Sequence, residues 1–178
     1  MGFFSFNPLN HQVIHGIFEL LMVGGAEVKK IIFFLVPLLF CIGCAAKVPL
    51  APSTLDLAAK EFPFSPGKAN IYIFRAESGF GAAILFQIFL DGSLKGGIAE
   101  GTYLFLKTTA GEHTISTFSN ENQDSVTLKI EEGKNYFLEV EAKWGVMTAR
   151  VRIKQVDEKS GREAVIACKR AEGMKLSP

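Results

Sequence analysis

The fold is decided by residues 126–154, which read VTLKIEEGKNYFLEVEAKWGVMTARVRIK. Apolar and polar side chains alternate along three segments of this stretch, and the pairs Glu132-Gly133 and Trp144-Gly145 separate the segments. A period of two places one face of a strand in the core and the other in water, which is typical of antiparallel sheets. The predicted inward-facing residues are Val126, Leu128, Ile130, Tyr136, Leu138, Val140, Ala142, Met147, Ala149, Val151 and Ile153.

The same strand-like texture continues back to about residue 68. Residues 71–74 are β-branched or aromatic at every position, which predicts a strand covered on both faces. The apolar run 82–90 ends at Asp91-Gly92, a strong turn signal. Seven or eight short strands at hairpin spacing predict an all-β fold, an antiparallel β-sandwich over residues 68–171. The remaining predicted elements are strands at 93–98, 101–107 and 113–118, and a short C-terminal helix or an eighth edge strand at 163–170.

Composition and charge exclude several classes of protein. The chain has 178 residues, which suits one domain with appendages. Its 19 Lys and Arg residues nearly balance 18 Asp and Glu residues, so a strongly basic nucleic-acid-binding surface is excluded. Three Cys and three His are too few for a disulfide scaffold or a multi-metal site. We therefore expect no nucleic-acid partner, no metal and no cofactor.

The N-terminal part of the chain has the pattern of a secretion signal. Lys29 and Lys30 precede an unbroken apolar run over residues 31–40, which predicts a signal helix. This run is shorter than the roughly 20 residues that a membrane-spanning helix needs. Small residues follow at once, as a signal peptidase requires. The segment Cys41-Ile42-Gly43-Cys44 resembles a bacterial lipobox.

The lipobox resemblance implies removal of residues 1–43 and attachment of a diacylglyceryl group, followed by an acyl chain, to Cys44. Two or more chains give a stable membrane anchor where one is marginal. Ala45, in place of Asp, implies the outer membrane facing the periplasm. Proline-rich residues 44–67 are then predicted to be a flexible tether that holds the domain away from the bilayer, and residues 172–178 a tail.

Three alternatives stay open for this region. Residues 41–44 also match the spacing of a redox dithiol, although that motif belongs in a folded strand–helix context. The apolar run could remain as an uncleaved anchor. The 28 residues before the Lys pair make an unusually long leader, which suggests that translation begins at Met22.

Five short motifs occur in order along the β domain: Ile71-Tyr72-Ile73-Phe74-Arg75, Leu90-Asp91-Gly92, Gly101-Thr102-Tyr103, Gly111-Glu112-His113-Thr114 and Gly133-Lys134-Asn135-Tyr136-Phe137. With these motifs the domain resembles a bacterial family of unknown function that occurs on small lipoproteins, and it is also similar to PEGA-type and carboxypeptidase regulatory-like sandwiches. The resemblance implies an envelope interaction or spacer module and supplies no catalytic residues.

Basic residues form the candidate binding site of the domain. Arg150, Arg152 and Lys154 share one face of a predicted strand, and this row could bind an anionic envelope protein, glycan or lipid. Cross-strand pairing with Glu139 and Glu141 explains the same row without a ligand. Arg75 is a further candidate for such binding.

The alternative to a binding module is a periplasmic hydrolase or thiol-dependent enzyme that uses His113 and Cys168. It requires the two side chains to converge in one pocket, because a thiol nucleophile needs a base. Without that convergence, His113 is interpreted as a hydrogen-bonded turn residue and Cys168 as a buried thiol. Self-association through an exposed sheet edge is a third hypothesis.

Overall fold

The computed structural model of the protein describes residues 46–174. This part of the chain folds as a β-sandwich, and it contains nine strands rather than seven or eight. The predicted signal helix, Cys41 and Cys44 lie outside the described residues. The elements are α1 Ser53–Lys60, β1 Ala69–Arg75, β2 Phe86–Leu90, β3 Ser93–Ile98, β4 Thr102–Thr108, β5 Gly111–Phe118, β6 Gln123–Ile130, β7 Asn135–Trp144, β8 Ala149–Val156, α2 Glu158–Ala167 and β9 Lys169–Arg170.

Two sheets pack face to face. One has the strand order β8-β7-β1-β4-β9 and the other β3-β2-β5-β6. Most neighbours are antiparallel, as predicted, but β1 pairs with β7 in parallel and β4 pairs with β9 in parallel. All seven residues of β1 are buried. The prediction that this strand is covered on both faces is therefore confirmed.

The two faces of the five-stranded sheet contribute to two different cores. One core lies between the sheets and includes Ile71, Ile73 and Leu138. The other lies between the sheet and the two helices, and it includes Tyr72, Phe137 and Val165. Because side chains alternate across a strand, odd and even positions of β1 supply different cores. The domain thus has three layers.

The three segments of residues 126–154 form β6, β7 and β8, as the alternation predicts. Met147 is the exception, because its side chain is 91% exposed instead of facing inward. It lies in the turn between β7 and β8, and β8 begins at Ala149. The apolar run 82–90 is likewise only partly a strand, since β2 begins at Phe86. The C-terminal helix begins at Glu158, five residues before the predicted start.

Residues 46–66 differ from the predicted flexible tether. The backbone N–H of Ala46 donates to the carbonyl of Ala82 at 2.8 Å, and that of Ala51 donates to the carbonyl of Arg170 at 2.9 Å. Helix α1 follows, and Phe62 beyond it is buried in the second core. The proline residues break the periodicity of this segment, but its apolar side chains still pack on the domain. The tether prediction is corrected accordingly for residues 46–66.

The strand directions sort the loops into two ends of the sandwich. The Trp144 end, where β1 and β7 finish, holds loops 76–85, 99–101, 119–122 and 145–148. The His113 end, where β1 and β7 begin, holds turns 91–92, 109–110 and 131–134. Neither helix within residues 46–174 is long and apolar enough to cross a membrane.

Candidate interaction surface

Apolar side chains are exposed at the Trp144 end. Trp144, Val146 and Met147 are 84%, 87% and 91% exposed, the highest values among the large apolar residues of 46–174. The ring of Phe80, from the loop between β1 and β2, lies 4.2 Å from the Trp144 ring between centroids. We call these four residues the tip surface. Clustered exposure of this kind marks interaction sites more often than isolated apolar residues do.

The carboxylate of Glu121 fixes the turn that carries the tip surface. It accepts hydrogen bonds from the backbone N–H groups of Val146 at 2.9 Å, Met147 at 2.6 Å and Thr148. These N–H groups hold the pKa of Glu121 far below its usual range, at about 2. A side chain at Gly145 would collide with the Thr148 carbonyl and the Glu121 carboxylate. The turn is therefore built around this contact.

Arg75 fixes the neighbouring loop. Its side chain is buried, and its guanidinium donates to the carbonyls of Ile84 at 2.7 Å, Gly81 at 2.7 Å and Phe80 at 3.2 Å. Burial lowers the pKa of Arg75, and the charge of Glu100 opposes this shift. Arg75 thus holds Phe80 in place and is not the accessible binding residue that the sequence suggested.

Glu100 holds the first part of the same loop. It accepts hydrogen bonds from the backbone N–H groups of Ser78 at 2.5 Å and Gly79 at 2.6 Å, and from the Ser78 hydroxyl at 3.0 Å. Both loops of the tip surface are therefore tied to the sandwich by charged side chains. The exposed apolar groups stand on a fixed backbone.

Two adjoining grooves open beside the tip surface. One has a volume of about 510 Å³ and is lined by Leu85 and Phe118, among others. The other has a volume of about 320 Å³ and is lined by all four tip residues. The two grooves share Ile84, Thr148 and Ala149. The apolar surface of this end therefore extends between the two loops.

The predicted basic row lies on β8 beside the tip. Lys154 Nζ is 3.0 Å from carboxylate oxygens of both Glu139 and Glu141, and hydrogen bonds to these two groups raise the pKa of Lys154. Arg152 lies opposite Glu141 in the β7–β8 register. Cross-strand pairing thus accounts for Lys154, as the ligand-free interpretation predicts.

Arg150 and Arg152 form fewer or longer ion pairs than Lys154 does. The Arg150 side chain is 53% exposed, with its Nε 3.4 Å from Glu121. Arg152 is exposed, and no carboxylate among residues 46–174 lies within ion-pair distance of it. These two side chains remain available beside the tip surface.

The side chain of His113 is hydrogen-bonded, as predicted, but the residue lies in strand β5 and not in a turn. Its Nδ1 donates to Asp91 Oδ2 at 2.6 Å, and its Nε2 lies 3.2 Å from Thr108 Oγ1 and 3.1 Å from the Thr109 carbonyl. The hydrogen bond from His113 lowers the pKa of Asp91, assisted by the Thr114 backbone N–H. His113 therefore links two turns of its end of the sandwich.

Cys168 lies in the core under the helices. It is 3% exposed, and its Sγ is 3.7 Å from the Arg75 carbonyl. Burial raises the pKa of this thiol to about 11. His113 is on β5 of the other sheet, so the structure does not bring these two residues together. Residues 46–174 also contain no group of three His, Cys, Asp or Glu side chains placed to hold a metal.

The outer edge of β8 is closed by two side chains, one just before β6 and one near its start. Asn122 donates to the Val151 carbonyl and accepts from the Val151 N–H, both at 2.8 Å. Asp124 accepts from the Ile153 N–H at 2.9 Å. These contacts join the two sheets, and they occupy groups that an added strand would use.

Comparison with known proteins places the domain in a family. Residues 65–151 match the model of a family described as protein of unknown function DUF2846. An uncharacterized protein of Haemophilus influenzae is 34% identical over 126 residues, which cover 70% of this chain and 74% of that protein. The chain belongs to the DUF2846 family. No solved structure matches it.

The DUF2846 match covers the tip surface and the residues that fix its loops. It includes Phe80 and Trp144 of the tip surface, and Arg75 and Glu121 that fix its loops. Sequence reasoning missed Glu121, which stands in the polar stretch Asn120 to Asp124 with no motif around it. The similarity to PEGA-type sandwiches stays a prediction.

Proposed function

We propose that this DUF2846 protein is a lipid-anchored, non-catalytic interaction module of the bacterial envelope. The tip surface is the observation that carries the proposal. Trp144, Val146 and Met147 are exposed on a backbone that Glu121 holds in place. An apolar surface that is fixed and uncovered is suited to bind a macromolecular partner.

The anchor in this proposal is Cys44. The lipobox-like segment 41–44 follows a basic pair and an apolar run of signal-peptide length, which supports cleavage before Cys44 and its acylation. Ala45 supports the outer membrane, with the domain facing the periplasm. The partner is then an envelope protein, glycan or lipid within reach of the anchored domain.

The intact mass of the native protein, extracted from membranes, tests the anchor. We expect a species that begins at Cys44 and carries added acyl mass. A species that retains residues 31–40 without acyl mass would overturn the lipoprotein assignment. The matched variants are Cys41→Ser, which should leave the acyl mass in place, and Cys44→Ser, which should abolish it.

A photo-reactive side chain at position 147, installed in the membrane-bound protein, tests the interaction surface. We expect covalent adducts from position 147 and none from position 64, because Phe64 is 71% exposed but lies outside the tip surface. Equal labelling from both positions would mean that the tip surface has no special role.

A further inference from the structure

The described chain begins at the same end of the sandwich as the tip surface. The Ala46 N–H donates to the carbonyl of Ala82, which lies in the same loop as Phe80. Gly81 lies between these two residues and packs against Ala142 of β7, because a Cβ added to Gly81 would lie 3.0 Å from the Ala142 Cβ. The chain therefore enters the domain beside the tip surface and not at the His113 end.

Covalent geometry then limits the distance between the anchor and the domain. Cys44 precedes Ala46 by two residues, and two residues span at most about 7 Å. Because residues 46–66 pack on the domain, they add no length to a tether. If Cys44 carries acyl chains, the Trp144 end must lie against the bilayer that holds them.

We propose that the tip surface inserts into the phospholipid headgroup region of the bilayer to which Cys44 is anchored. This inference rests on the proposed acylation of Cys44, and it names the partner of the tip surface. Trp144 provides an amphipathic ring of the kind that favours the membrane interface. Val146 and Met147 are exposed on the turn that follows Trp144, and they supply the apolar contact.

The shape of the tip also favours a bilayer over a protein partner. A stable protein interface buries roughly 800 Å² on each side. The three most exposed tip residues stand on one hairpin, at the end of β7 and in the turn that follows it. This narrow projection offers little flat area to a protein, but its side chains can enter the fluid interface of a bilayer. Shallow insertion of a few apolar side chains suits a second contact beside a lipid anchor.

The charges around the tip are compatible with lipid phosphates. Lys143 and Arg150 flank the turn, and Arg152 follows on the same face of β8. Two of the acidic groups at this end, Glu100 and Glu121, direct their carboxylates to backbone N–H groups. Glu77 is exposed, and Glu141 pairs with Lys143 and Lys154. Arg150 and Arg152 are thus the basic groups best placed to contact phosphate.

The single tryptophan of the chain makes a direct test possible, because all indole emission comes from Trp144. The acylated protein, which begins at Cys44, is reconstituted into vesicles of phosphatidylethanolamine and phosphatidylglycerol, with or without lipids brominated on their acyl chains. We expect Trp144 to emit at a shorter wavelength than a water-exposed indole. We also expect the brominated lipids to quench this emission and the bilayer to protect it from quenching by aqueous iodide. The Val146→Ser/Met147→Ser variant should lose most of the quenching by brominated lipid.

The matched control moves the reporter to the other end of the sandwich. The variant Trp144→Phe/Phe64→Trp should be quenched by iodide and not by brominated lipid. If Trp144 in the acylated protein stays open to iodide and insensitive to brominated lipid, the inference is overturned. A shift that grows with protein density but is not quenched by brominated lipid would instead identify a second copy and also overturn it. The intact mass separates these results from failure of the proposed function, since it reports acylation of Cys44 independently.

Discussion

Both ends of the sandwich use carboxylates to hold their turns, but the two ends expose different side chains. At the His113 end, Asp91 accepts hydrogen bonds from His113 and from the Thr114 backbone, and the turn of residues 131–134 carries an ion pair between Lys134 and Glu131. At the Trp144 end, Glu121 likewise ties down a turn, but that turn exposes apolar side chains. Carboxylates fix the loops at both ends.

The comparison distinguishes the contacts that a turn needs in order to fold from the side chains that it exposes. A turn needs its backbone N–H groups satisfied, and either end shows how a carboxylate does so. Nothing in that requirement calls for Trp144, Val146 and Met147 to be apolar. Their exposure costs solubility and adds little packing, so we attribute it to an interaction.

Among the contacts that hold the loops, the largest effect on stability is expected from those of Arg75. Arg75→Leu removes the three hydrogen bonds that the guanidinium donates to the carbonyls of Phe80, Gly81 and Ile84. Hydrogen bonds from a charged donor contribute about 1.5–3 kcal/mol each. The Gly81 carbonyl keeps the Ile84 backbone N–H at 2.8 Å, and relaxation of the loop recovers a further part of the cost. We expect the free energy of unfolding, measured by urea denaturation, to fall by about 3 kcal/mol.

Arg152→Leu is the matched control for Arg75→Leu. Its side chain is exposed and lies on the same sheet, so the free energy of unfolding should change by less than about 0.5 kcal/mol. Equal losses for the two variants would show that burial of Arg75 is not what holds the loop.

A pH titration sharpens the comparison at Glu121. Its pKa in the folded protein is lowered to about 2, so its stabilising contribution is present above its ordinary pKa near 4.5 and is lost as the pH falls towards 2. We expect the turn to loosen over this interval, which Trp144 emission and its quenching by iodide would report. Glu121→Gln should remove this acid transition.

The control for the titration is Glu163→Gln, because Glu163 is exposed on α2 and far along the chain from the tip. It should leave the acid transition unchanged. Identical pH profiles for the native protein and Glu121→Gln would show that other carboxyl groups control the turn.

Local patterns predicted the sandwich well because the signals of its strands are local. The alternation of β6 to β8 and the doubly apolar β1 each follow from neighbouring residues. Arg75 was misjudged because its burial depends on carbonyls five to nine residues away that fold back over it. Contacts of this kind, between residues that only the folded loop brings together, leave no periodic pattern in the sequence.

The tip surface could not be predicted for the same reason. Met147 continues the alternation of β8, and this pattern alone places it in the core. Met147 instead lies in an exposed turn, because the carboxylate of Glu121 accepts hydrogen bonds from the N–H groups of residues 146–148, which are 25 to 27 positions away along the chain. The ordering of residues 46–66 also depends on distant partners, such as Ala82 and Arg170.

The smallest effect on stability is expected where the effect on binding is largest. Val146→Ser/Met147→Ser removes two side chains that are 87% and 91% exposed, so the free energy of unfolding should change by less than about 0.5 kcal/mol. Ile153→Ala, on the same hairpin but in the core between the sheets, should lower it by about 2–5 kcal/mol. Urea denaturation of both variants measures these two changes in the free energy of unfolding. A large loss in the tip variant would mean that the apolar turn serves folding, and the contrast between the two ends would then have a structural cause.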